Sequence, residues 1–147
     1  MVSQISAPRN SLTARDVESQ VAHFWRFLTD KNYQGIHDFY SADALVFGTA
    51  TDRAESALTT ASRRNIEYFG EHMKLEANVG AIAVSMLNER SAIAGYTFTF
   101  SATERHPSGS TRAYEVIHKG RATQVFAMDK DSNIRIVHEH FSIASRR

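Results

Sequence analysis

Between Ser91 and Glu104 the chain alternates without a break: Ala92, Ala94, Tyr96, Phe98 and Phe100 share one face, while Thr97, Thr99 and Ser101 share the other. A period of two held over so long a run predicts a strand with one aromatic face. That face must be buried, and a strand this long needs hydrogen-bonded neighbours, so the chain has to build a sheet and a cover for one side of it.

The second half supplies the sheet. Turns at Asn88 to Arg90, at His106-Pro-Ser-Gly-Ser110 and at Asp129-Lys-Asp-Ser-Asn133 separate four runs, Leu75 to Leu87, Ser91 to Glu104, Arg112 to Met128 and Ile134 to Ser142. These predict an antiparallel meander, with Gly80 and Gly120 as bulges or bends that curl it. The first half supplies the cover. Thr13 and Asp16 form a capping box, and Val17, Val21, Phe24, Trp25 and Leu28 recur at helical spacing through about Asp30. A short helix over Tyr33 to Tyr40 and a strand over Ala44 to Phe47 are expected next. Asp52 with Glu55 then predicts the start of a third helix, carrying Leu58, Ala61, Ile66, Phe69 and Met73 through about His72. The predicted fold class is α+β: N-terminal helices packed on a strongly curved antiparallel sheet. The concave space between them is the expected ligand site.

Bulk properties narrow the function. A length of 147 residues suits one domain, read as 13–147 after a flexible arm at 1–12 that has no periodic pattern. The charges nearly balance, 17 Lys and Arg against 16 Asp and Glu, and the arginines are scattered, which argues against a nucleic-acid partner. No run approaches the ~18 apolar residues of a membrane span, and the opening M-V-S-Q-I-S-A-P-R has no apolar signal core, so no membrane partner and a cytoplasmic address are expected. Zero cysteines exclude disulfides, thiolate metal sites and Cys nucleophiles. Neither a G-x-S-x-G elbow nor a Gly-rich phosphate loop occurs, and no cofactor is expected.

The order of elements, the segment F-W-R-F-L-T-D-K-N-Y followed by F-Y-S-A-D-A-L-V-F-G, and the ending Q-V-F with I-V-H-E-H-F-S resemble the nuclear transport factor 2-like superfamily. Within it the chain looks most like SnoaL-like proteins and the association domain of calcium/calmodulin-dependent kinase II. The resemblance spans about Thr13 to Ser142 and implies a cone-shaped, cystatin-like fold that hosts many chemistries. Laid on the ketosteroid isomerase pattern, Gly48 falls at the position of the carboxylate base and Phe24 at that of the tyrosine donor, so that mechanism is disfavoured. Where the association domain places arginines, this chain has Phe98, Gln124 and Phe141. The resemblance also implies that Val137, Glu139 and Phe141 face the cavity, with Ile134, Ile136, His138 and His140 on the outer, often dimer-forming, side. The implied pocket is lined by Phe24, Trp25, Phe47, Tyr96, Phe98, Phe100, Gln124, Val137 and Phe141.

Glu139 is the principal candidate, since a carboxyl among aromatic walls is desolvated and its pKa moves toward that of a general acid or base. The alternative is an ion pair with Arg112 or Arg121. His138 and His140 point the same way on a strand and could chelate a metal with His118 or Glu115, although the preferred reading is no metal and hydrogen bonding across a subunit interface. Tyr33, Tyr40, Tyr68 and Tyr114 could present hydroxyls to the pocket, or sit in the core with a satisfied polar tip. His23 and His37 are expected in solvent, and Asp43 and Asp52 at element ends. Two functions follow. One is a SnoaL-like homodimer that takes a small hydrophobic or aromatic molecule, with isomerase, cyclase or hydrolase chemistry through Glu139. The other is an oligomerisation module like the kinase association domain, without catalysis.

Overall fold

A computed structural model describes residues 11–47, 55–56, 74–105 and 113–143 of the chain. Helix α1 (Ala14–Thr29) starts where the capping box predicts: Thr13 accepts from the Asp16 amide, and Asp16 accepts from the Thr13 amide. Its periodic residues Val17, Val21, Phe24, Trp25 and Leu28 are all buried. The helix gives way to Lys31 in the left-handed region, φ 57°. Helix α2 (Tyr33–His37) is capped by the Asn32 side chain, which accepts from the Gly35 amide. It ends three residues before its predicted limit, because Tyr40 opens a strand.

The strands are β1 (Tyr40–Phe47), β2 (Glu55–Ser56), β3 (Lys74–Val79), β4 (Ala83–Asn88), β5 (Ser91–Arg105), β6 (Ala113–Met128) and β7 (Ile134–Ile143). They form one curved sheet in the order β2, β1, β7, β6, β5, β3, with β4 also paired to β5. The meander β5, β6, β7 is antiparallel, as the turns predict, but β1 runs parallel to β7, so the sheet is mixed rather than wholly antiparallel. Gly80 breaks the expected run of Leu75 to Leu87 into β3 and β4, which pair with successive stretches of β5. Glu55 and Ser56, expected in the first turn of a third helix, instead pair with Val46 and Leu45, and the remainder of that helix lies outside the described residues. Leu12, assigned to the mobile arm, is buried, and its amide donates to the Glu89 carbonyl at 2.7 Å.

One core lies between α1 and the inner face of the sheet. Ala92, Ala94, Tyr96, Phe98, Phe100 and Ala102 of β5 all point into it, as do Ala122, Gln124, Phe126 and Met128 of β6. Gly120 causes no bulge: it pairs in register with Phe98 and Ile143. The ring of Phe98 occupies the space a Cβ at Gly120 would need. The register shift lies instead between Val125 and Phe126, where Val137 is the extra residue of β7. Beside it the β1–β7 ladder slips as well, since Tyr40 aligns with Ile136 but Leu45 with His138. Among the described residues no helix is long and apolar enough to cross a membrane.

Candidate functional site

The interior of the sheet holds two buried polar side chains among the described residues, Gln124 and Glu139, both 0% exposed. They are direct cross-strand partners on β6 and β7. Burying a carboxylate without partners is prohibitive, and this one is satisfied from both sides. Gln124 Nε2 donates to Glu139 Oε1 at 2.7 Å, and the Tyr40 hydroxyl donates to Oε2 at 2.8 Å. The bonds continue outward: the Tyr96 hydroxyl donates to Gln124 Oε1 at 2.7 Å and accepts from Trp25 Nε1 at 2.8 Å. Five side chains from α1, β1, β5, β6 and β7 thus form one connected network.

Electrostatics follow from that enclosure. Burial pushes the Glu139 carboxyl up to about 7, against the opposing pull of the hydrogen bonds from Gln124 and Tyr40. Burial, reinforced by the nearby Glu139 charge, holds the Tyr40 hydroxyl far above the phenol range, and Tyr96 is raised chiefly by its own burial. The expected ion pair is not formed by Arg121, which is exposed and opposite Thr97 and Ser142 on the outer face. The side chain of Arg112 lies outside the described residues.

Around the network the rings interlock. Trp25 stacks on Phe141 at 5.8 Å and lies 4.8 Å from Phe98, while Phe24 meets Trp25, Phe39, Tyr40 and Phe141 edge-on. The structure therefore brings together Phe24, Trp25, Tyr96, Phe98, Gln124, Glu139 and Phe141, with Phe100 buried on the same strand face. Two proposed lining residues fall elsewhere. Phe47 lies on the outer face, because Ala44 and Val46 take the inward positions of β1, and its ring is 5.4 Å from that of His140 and 6.3 Å from that of His138. Val137 is displaced by its own bulge into a surface cleft. Ile136 takes the core position instead, fully buried, which reverses the outward assignment made for it.

His138 and His140 do face outward, opposite Val125 and Thr123. His118 aligns with Phe100 and so belongs to the inner face, away from both imidazoles. Among the described residues no three His, Asp or Glu side chains converge as a metal site would need. Gly48 lies outside the described residues. His23, His37 and Asp43 are exposed.

The part played by Tyr40 escapes sequence reasoning. Its hydroxyl was one of four equivalent candidates, and nothing local distinguishes it, since its partner is 99 positions away. Tyr40 also borders a cleft of about 340 Å³ at the junction of β1 and β7, with Ser41, Ala42, Asp129, Arg135 and Val137. There Arg135 donates to the Asp38 carbonyl and lies 3.9 Å from the Asp129 carboxylate.

No protein-family model matches the chain, and no curated protein matches it by sequence. Solved structures do match in fold. A protein from Xanthomonas campestris named as a calcium/calmodulin dependent protein kinase II association domain is 18% identical, covers 97% of this chain and 95% of its own, and superposes with a TM-score of 0.74. A Streptomyces avermitilis protein named as a dehydratase of the NTF2-like family is 14% identical over 90% of this chain and 96% of its own, with a TM-score of 0.75. An NTF2-like superfamily protein from Salmonella enterica is 17% identical over 90% and 91%, with a TM-score of 0.72. At such identities the likeness is one of fold, and the chain has the nuclear transport factor 2-like fold.

Proposed function

We propose that this chain is a cytoplasmic, cofactor-independent SnoaL-like protein that binds a small hydrophobic or aromatic molecule in its cone and transforms it by acid-base chemistry. Glu139 is the acid or base, and the Tyr40 hydroxyl is the donor beside it. The observation that carries the reading is a fully buried carboxyl that accepts from Gln124 and Tyr40, with no cation beside it among the described residues, and this burial pushes it up to about 7. Such a group is near half-ionised at neutral pH and can both take and give a proton, the requirement for isomerase, cyclase or hydrolase-type steps. A dehydratase-named neighbour of the same fold is consistent with it.

The test is Glu139→Gln, assayed by saturation binding against a panel of small hydrophobic and aromatic compounds and by turnover of any binder. Loss of turnover by ~100-fold or more with the fold retained is expected. Unchanged binding and turnover would reject the reading.

A second reading is an assembly module. It is favoured by Leu45 and Ile117, 53% and 41% exposed on the outer face of the sheet, and by neighbours named as association domains. A homodimer is the proposed state under the first reading, and a ring of many subunits under the second. Light scattering at micromolar concentration separates them.

A further inference from the structure

The hydrogen bonds that end at Glu139 run one way. An indole N–H can only donate, so the Tyr96 oxygen accepts from Trp25 Nε1, 2.8 Å away. The Tyr96 proton then has one acceptor among the described residues, Gln124 Oε1 at 2.7 Å. A reversed amide would turn the Gln124 N–H group on that proton and leave two buried donors facing each other. The amide carbonyl is therefore held toward Tyr96, and the amide nitrogen 2.7 Å from Glu139 Oε1.

That order has a consequence for the carboxyl. Gln124 presents a donor to Oε1, the Tyr40 hydroxyl donates to Oε2, and both bonds favour the charged form against the opposing effect of burial. A reversed amide would present a carbonyl instead, accept from the acid and favour the neutral form. The titratable groups that face Glu139 are Tyr40 from β1 and Tyr96 from β5. Helix α1 brings only Phe24 and Trp25, and the strand neighbours His138 and His140 face the other side with Phe47. Among the described residues no second charged side chain is buried with it.

We propose that Trp25 and Tyr96 are positioning residues for Glu139: the donor-only indole sets the direction of the chain, and the Gln124 amide it locks holds Glu139 in its proton-accepting form. Neither residue touches the carboxyl, and both act through Gln124. The proposal rests on Glu139 being the acid-base group and adds which of its two forms the surrounding bonds prepare.

The experiment titrates the Glu139 carboxyl by carbon-13 NMR in the full chain, with glutamate labelled at Cδ and the signal assigned by its loss in Glu139→Gln. Wild type is compared with Tyr96→Phe and with protein whose tryptophan is replaced during expression by its benzothiophene analogue, which has sulfur in place of the indole N–H. Trp25 is the chain's single tryptophan, so the analogue changes that one donor and keeps the ring. In both proteins the amide is released, and the carboxyl pKa is expected to rise by about one unit, the equivalent of one net hydrogen bond to a charged group. A merely structural role for the pair predicts the opposite sign, because loosened packing admits water and lowers the carboxyl toward its ordinary value of 4.5. An unchanged or lowered pKa in either protein overturns the proposal. Should Tyr96→Phe not fold, the analogue decides the matter. No ligand enters the measurement, so a silent Glu139→Gln in binding and turnover would reject the function while leaving the titration result standing.

Discussion

Glu139 sets chemistry against stability within one side chain. Its folded pKa of about 7 lies above the ordinary glutamate value of 4.5, with burial as the cause. Between those values the folded chain binds a proton that the unfolded chain has lost, so stability falls as pH rises through this window. Above it the full penalty applies, on the order of 3 kcal/mol. Wild-type protein is therefore expected to show a higher denaturant midpoint at about pH 5.5 than at about pH 8, and Glu139→Gln to flatten the difference. Equal slopes in the two proteins would remove Glu139 as the source. Gln124 is the other dependent position. Gln124→Leu leaves the Tyr96 hydroxyl and Glu139 Oε1 without their partner, and a loss of roughly 2–4 kcal/mol is expected in equilibrium unfolding.

At the scale of elements, close packing around glycine makes a sharp test. Phe98 lies across Gly120, so Gly120→Ala forces that ring and the strand apart, with an expected cost of about 1–3 kcal/mol by chemical denaturation. A neutral result would show that the ring has room to move. The same glycine shows where sequence stops informing: a glycine inside a strand run has one signature for a bulge and for a close approach, and here it serves the second. Helix α1 was legible to the residue because its signals are local, a capping box and a repeating apolar face. The inward aromatic set of β5 was legible for the same reason, through strict alternation. The bulge at Val137 was not, because it is created by pairing with β6 on one side and with the distant β1 on the other. One inserted residue moved Ile136 inward and Val137 outward while leaving Glu139 and Phe141 where parity expected them. The meeting of Tyr40 with Glu139 depends on that parallel pairing, and no local pattern encodes it.

For the molecule as a whole, the sheet divides labour between its faces. The inner face is sealed by α1 over the polar network, whereas the outer face presents Leu45, Ile117 and the Phe47, His138 and His140 group. If that face joins two copies, Leu45→Lys is expected to shift the light-scattering mass from dimer to monomer at micromolar concentration. An unchanged dimer mass would place the interface elsewhere. The sealed face carries a practical consequence. Trp25 is the chain's single tryptophan, and it both ends the hydrogen-bond network and stacks on the rings above it. A molecule that binds in the cone against Trp25, as proposed, would break the Trp25–Tyr96 bond or displace Phe98 or Phe141 from the indole, and each event alters indole fluorescence. The unmodified protein thus carries its own optical label, one that can find a ligand by screening before any reaction is known.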